Sequence, residues 1–441
     1  MKDQPKVLYD ISVLGLGHSN PICRAGVYRV VETLAHYLVQ SPDCELKFSA
    51  GASFELLRQS IAYLQSQSND LGKIALPYHA IQKWASEVWD QPVSQSLVAI
   101  NQRIDQANNG QQWLLKLLRK PLFLAYRSMM ALNPLDPASL RWADLYHSTF
   151  YPFPDRVRDY PNLQCVLTLY DLIPILYPHF FQANDDVVLK AVLASLKPQD
   201  WVLCISQSTK NDLCEYRPDL DPNRVFVTPL GASELFYPCL DPAQIQTVKT
   251  KYQIPDRPYF LSLSTLEPRK NISQIIRAFV QLIEQENIKD LSLVLVGQQG
   301  WKYADILELA AASHLQDRVI LTGYVENADL AALYSGAIGF VYPSFYEGFG
   351  LPPLEAMQCG VPVITSNTSS LPEVVGTAGI TLSPNDLDGW CQALLRLYQD
   401  TDLRRELSQQ SLQQAQKFSW NRCFEQTMVA YTTALHRKGI V

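Results

Sequence analysis

Short apolar runs alternate with amphipathic stretches along nearly the whole chain, in two successive series. In the first, KVLYDISVLG reads as a strand, and AGVYRVVETLAHYLVQ as a helix because its apolar residues recur about every 3.6 positions. ELKFSA, QCVLTLYDLIPI, DWVLCIS and RVFVTPLG read as further strands, and SQSTKNDLCEY opens a helix with serine at the cap. The second series runs through YFLSLST, NISQIIRAFVQLIEQE, LSLVLVG, RVILTGYV, NADLAALYSGA, IGFVYPS, PLEAMQCG and VPVITS. Strands apolar throughout, separated by helices, form parallel sheets covered on both faces. The expected fold is therefore α/β, with two doubly wound Rossmann-like domains. Breakers in ELFYPCLDPAQ and YQIPDRP place the seam near 232–256. We expect a first domain over 1–238, a second over 239–425, and a last helix over 426–441 packing back towards the first. Residues 52–140 interrupt the rhythm with helix-like sequence and are expected to be a helical insertion.

The 441 residues are 47% hydrophobic, enough for packed cores. A net charge of −6 argues against a nucleic-acid partner, which calls for a basic surface. Nine scattered cysteines without a CxxC pair read as reduced, buried thiols and fit the cytoplasm. No signal-like N-terminus and no run of about 18 apolar residues is present.

The stretch EGFGLPPLEA, 347–356, carries the chemistry. It follows a strand, and Pro352 and Pro353 fit a helix start, where proline lacks only an N–H that is unpaired anyway. Glu347 thus lies on a loop and Glu355 in the first helical turn. Gly348 and Gly350 let backbone approach a ligand, and the amides of Phe349 to Leu351 form an anion site. Acids beside an anion site suit a ligand with neutral hydroxyls next to its phosphates, such as a sugar nucleotide. Glu355 would take ribose hydroxyls and Glu347 the sugar.

EGFGLPPLEA resembles the E-x7-E motif of retaining glycosyltransferases of family 4, which have the two-domain GT-B fold. LSTLEPRKN, LVLVGQQGW, VILTGYV and SNTSSLPEVVG are similar to other segments of that family, in its order. AGVYRVVETL, LYDLIPI and ISQSTKNDL resemble its weaker N-terminal signatures. The likeness spans nearly the whole chain except about 52–140. It implies that Arg269 and Lys270 contact the donor phosphates in place of a metal, arginine gripping two oxygens and lysine acting as a point charge. A solvated pair at a helix start is the plain alternative. The resemblance also implies that the Gly323–Val325 loop, with Tyr324 and Val325, holds the base through backbone atoms. Ser264 stands where the family often has a cation or glycine. The two DLD triplets, 219–221 and 386–388, read as surface turns rather than metal sites, so no metal is expected.

VLGLGHSN lacks the third glycine of a dinucleotide fingerprint, since Asn20 occupies that place. By resemblance it is a glycine-rich loop facing the phosphates, with Gly15, Gly17 and Gly26 as candidates and Arg24 and Arg29 behind them. Tyr170-Asp171 replaces the His-Asp of many members, whose histidine touches the donor sugar. Tyrosine can hydrogen-bond a hydroxyl but is no acid or base near neutral pH. His147 follows another strand and reads first as structural.

The resemblance implies transfer of a hexose with retention, with mannose from GDP-mannose as the expected donor. UDP is the alternative nucleotide. The acceptor would be a glycan or lipid-linked oligosaccharide in polysaccharide biosynthesis. WLLKLLRKPLFLAYRSMMAL, 113–132, reads as a core helix with snorkelling cations; the other reading is contact with an anionic membrane or lipid-linked acceptor, at the inner face of the membrane. A sugar-nucleotide epimerase and a catalytically silent sugar-nucleotide scaffold are the rival readings.

Overall fold

A computed structural model describes residues 4–436 except 21, 22, 25, most of 79–134, 302, 313, 314 and 316. The expected core helix or membrane surface at 113–132 therefore lies mostly outside the described residues.

Among the described residues, twelve strands form two parallel sheets of six. The first contains β1 (Lys6–Asp10), β2 (Glu45–Ser49), β3 (Leu145–Ser148), β4 (Gln164–Leu169), β5 (Trp201–Cys204) and β6 (Val225–Val227). Their spatial order is β2-β1-β3-β4-β5-β6. The second contains β7 (Tyr259–Leu263), β8 (Ser292–Val296), β9 (Val319–Gly323), β10 (Gly339–Tyr342), β11 (Val363–Ser366) and β12 (Ile380–Leu382), in the order β12-β11-β10-β7-β8-β9. The doubly wound architecture expected from the alternation is the one observed. Strand order reverses between β1 and β3, and again between β7 and β10. Such reversals open a crevice at the carboxyl ends of the strands, where ligands of open α/β sheets bind.

Central strands bury nearly every residue, and Ser292–Val296 all of them, because helices cover both faces. The helix Ile272–Glu286 places Ile272, Ile275, Ile276, Phe279, Leu282 and Ile283 on one buried stripe against the second sheet. A further apolar cluster joins the domains: Val30, Ile205 and Leu230 of the first share it with Phe349, Leu354 and Leu371 of the second. The chain crosses back after the second domain. Its last described helix, Trp420–His436, lies on the first sheet, where Met428 and Tyr431 join Val7, Tyr9 and Trp201.

The glycine-rich run near the N-terminus corrects the sequence reading. Ser12–Ser19 is a helix, α1, and not a loop. A Cβ on Gly15 would lie 2.5 Å from the amide nitrogen and Oγ of Ser60 in α3 (Phe54–Ser66), and one on Gly17 would enter the Tyr28 ring. These glycines are small because helices press on them. Gly26 differs: it precedes α2 (Val27–Gln40) with φ +41°, a conformation that suits glycine, and no atom of the described residues lies within 4 Å of where its Cβ would stand. No helix among the described residues is long and apolar enough to cross a membrane.

Candidate active site

The site lies at the β7/β10 reversal. After β7 the chain passes through a short 3-10 turn, Pro268–Lys270, and after β10 through residues 343–350. These two connections are tied together: the amide of Phe345 donates to the carbonyl of Arg269 at 2.9 Å, and the Asn271 amide group donates to the carbonyls of Pro343 and Pro384. The binding brings residues 77 positions apart into one cluster.

Glu347 is its centre, with its side chain 11% exposed. Its Oε1 accepts from Lys270 Nζ at 2.6 Å, Ser344 Oγ at 2.6 Å and Tyr342 Oη at 3.0 Å. Its Oε2 lies 2.9 Å from Arg269 Nη1. Arg269 also reaches Glu267 Oε1 at 2.8 Å and the carbonyl of Tyr346 at 2.8 Å. Burial pushes the Glu347 carboxyl up, but Arg269 and then Lys270 outweigh it and hold it at about 2. Burial and the neighbouring Arg269 lower the Lys270 ammonium, against the pull of Glu347. The carboxylate is the firmer charge, since both cations lie within hydrogen-bond distance of it.

Gly350 caps the helix Leu351–Gln358 with φ +118°, in the left-handed region glycine tolerates. Pro352 and Pro353 remove two amides from the first turn, so Leu354 supplies the first helical bond, to Gly350. The amides of Phe349, Gly350 and Leu351 donate to no protein acceptor among the described residues. They are the donors this helix start leaves free among the described residues. Ser370 Oγ holds this loop by donating to the carbonyls of Glu347 and Phe349.

Glu355 sits one turn further, 3% exposed. Its Oε1 accepts from Arg29 Nη2 of α2 at 2.9 Å, across the domain boundary, and its Oε2 from Tyr334 Oη at 3.3 Å. Burial raises its carboxyl, and Arg29 opposes the rise.

Other expected residues take varied positions. Asp171 accepts the Ile173 amide at 2.9 Å; burial raises it, and the charges of Arg269, Glu347 and Lys270 reach it across the boundary. Tyr170 is beside it, but its hydroxyl is buried without a hydrogen-bond partner among the described residues. A Cβ on Gly348 would strike the Tyr170 carbonyl oxygen, so the two domains meet backbone to backbone there. Ser264 follows β7, with its Oγ buried and without a hydrogen-bond partner among the described residues. Tyr324 is 61% exposed and Val325 is buried. Gly15 and Gly17 are packed inside α1, as described above, and Gly26, at the start of α2, meets none of the described residues where its Cβ would stand. Asp219 pairs with Arg217, and Asp221 and Asp386 cap helical turns, so the DLD triplets have structural work.

Sequence reasoning did not single out Tyr342, Ser344, Glu267 or Tyr334. The first two were within reach, since YPSFYEG carries them off the end of the same strand that leads to Glu347. Glu267 and Tyr334 gain their meaning only from packing. His147 is fully buried between Tyr431 Oη (2.6 Å) and Thr168 Oγ1 (2.8 Å), and burial lowers it to about 3. It is a neutral structural residue.

Comparison with known proteins follows the same lines. Residues 244–414 match the family model "Glycosyl transferases group 1". O-antigen chain mannosyltransferase B from Escherichia coli is 35% identical over 75% of this chain and 85% of its own. The serotype-specific mannosyltransferase WbdA from Escherichia coli is 36% identical over 58% of this chain, which spans 32% of that longer protein. Among solved structures, sucrose-phosphate synthase from Thermosynechococcus elongatus superposes with a TM-score of 0.63 at 20% identity, over 98% of this chain and 100% of that one. Anabaena HepE in complex with UDP and glucose gives 0.63 at 15% identity, with the same coverage. These structures share the fold, two Rossmann-like domains in the GT-B arrangement. Because the mannosyltransferase relative matches along most of both chains, the protein belongs to the group 1 glycosyl transferases.

Proposed function

We propose that this glycosyltransferase moves mannose from GDP-mannose to a glycan or lipid-linked acceptor in polysaccharide assembly, with retention at the anomeric carbon and without a metal. The observation that carries the reading is the Arg269–Lys270–Glu347 cluster set beside the free amides of Phe349 to Leu351. The mannosyltransferase names of the relatives support the sugar and the polysaccharide setting.

In this reading the diphosphate lies on those three amides. Lys270 spends two of its three donors on Glu347 and Tyr342, which leaves one N–H for a phosphate oxygen. Oε1 of Glu347 already takes three donors, whereas Oε2 takes only Arg269 and keeps a lone pair for a sugar hydroxyl. With its carboxyl held at about 2 the residue stays ionised, so it orients the sugar and does not donate a proton. The bond from the anomeric carbon to the diphosphate oxygen breaks as an oxocarbenium-like centre forms. The acceptor hydroxyl attacks from the same face, and its proton passes to the departing diphosphate. Fixed donors aimed at the leaving charge lower the barrier.

The test is incubation with GDP-mannose, an O-antigen-type mannan acceptor and EDTA, followed by NMR of the product. An α-linked mannoside formed with EDTA present is the expected result. A β-linked product overturns retention, activity only on adding a divalent ion overturns metal independence, and binding of GDP-mannose without any turnover favours the silent scaffold.

A further inference from the structure

We propose that Arg29 is a diphosphate-binding residue that Glu355 holds in place until the donor arrives; the inference rests on the sugar-nucleotide reading above. Arg269 and Lys270 are the cations expected to meet the donor phosphates, yet Glu347 and Glu267 already face them at 2.6–2.9 Å. Two cations and two carboxylates leave no net positive charge for a diphosphate. An unfilled share of that charge has to come from elsewhere.

Arg29 is placed to supply it. It stands in the first turn of α2, on the opposite domain, and reaches across the boundary to the helix whose start carries the free amides. Its side chain is 36% exposed against 4% for Glu355. One nitrogen, Nη2, bonds Glu355, and the rest of the guanidinium fork has no hydrogen-bond partner among the described residues. A planar guanidinium with spare donors is suited to phosphate oxygens, which it can take two at a time.

The exchange balances. Ribose hydroxyls donating to Glu355 compete for the Oε1 lone pairs that Arg29 now uses, while Tyr334 keeps its bond to Oε2. Arg29 loses its counter-ion as the donor's phosphates bring a new one within reach. The same event satisfies Glu355 with neutral hydroxyls and Arg29 with an anion, and it draws both domains onto one ligand.

The experiment compares the tightest-binding of GDP, UDP, ADP and dTDP with its own nucleoside, by calorimetry and ligand-observed NMR in EDTA, on wild type, Arg29→Gln and Arg29→Lys. Arg29→Gln is expected to weaken the diphosphate roughly tenfold or more, as loss of a charge-assisted hydrogen bond does, and to change nucleoside binding less than about twofold. Arg29→Lys should recover part of the loss, and the salt dependence of diphosphate binding should flatten in Arg29→Gln. Equal losses for diphosphate and nucleoside, or no loss for either, would leave Arg29 a structural bridge and overturn the inference with the transferase reading intact. A wild-type protein that binds none of the four diphosphates overturns the sugar-nucleotide reading itself.

Discussion

Removing the charge of Glu347 should destabilise the second domain, and removing Lys270 with it should restore part of the loss. Glu347→Gln leaves Arg269 and Lys270, only 14% and 11% exposed, without the anion that faces both. Breaking a buried pair by deleting one partner costs about 3–5 kcal/mol, because the other charge stays desolvated. Lys270→Met alone should cost less, about 2 kcal/mol, since Glu347 keeps Arg269 at 2.9 Å. In the double variant Arg269 still has Glu267 at 2.8 Å, so the cluster is again neutral. The double variant should therefore be no less stable than Glu347→Gln alone, which is a coupling energy of about 2 kcal/mol. Urea unfolding read by hydrogen exchange of the β7 and β10 amides isolates the second domain. Single-variant costs that add to within about 0.5 kcal/mol would refute the cluster as an energetic unit.

Three further outcomes are expected. Gly15→Ala should lower the stability of the first domain by about 1–3 kcal/mol through overlap with Ser60, with the KM for the nucleotide sugar unchanged; a raised KM with stability intact would return this segment to the donor site. Gly348→Ala should cut kcat and open the interdomain angle seen by small-angle scattering, because its Cβ meets the Tyr170 backbone and not a flexible side chain. Glu347 has a folded pKa of about 2, below its unfolded value near 4.5, so its contribution is present above about pH 4.5 and disappears as pH falls towards 2. Acid titration of stability should show this loss in wild type and a shallower slope in Glu347→Gln.

The alternation of apolar runs was enough to read two parallel sheets, because strands covered on both faces are apolar at most positions, with only scattered polar residues such as Thr168, Ser262 and Ser292. EGFGLPPLEA was legible for a related reason: its prolines and glycines each have few conformations or many, and so announce a loop and a helix start. VLGLGHSN misled because glycine has two uses. Flexibility and close packing look identical in sequence, and only Ser60 and Tyr28, brought in from α3 and α2, decide between them. The pairing of Arg29 with Glu355 spans 326 positions and two domains, so no local spacing could have signalled it. Tyr170 shows the same limit, since the chain around it does not reveal that its hydroxyl points into the interior.

The return of the last helix to the first sheet has a consequence during synthesis. β6 closes the first sheet at Val227, but Met428 and Tyr431, which fill its face, are made roughly 200 residues later. At about 5–20 residues per second, the ribosome needs about 10–40 s to cover that distance. Throughout that interval His147 lacks Tyr431, and Tyr9 and Trp201 lack part of their apolar cover. The half of the protein that is translated first is therefore the half that is finished last, and a chain cut short before residue 420 leaves its first domain exposed while its second can be whole.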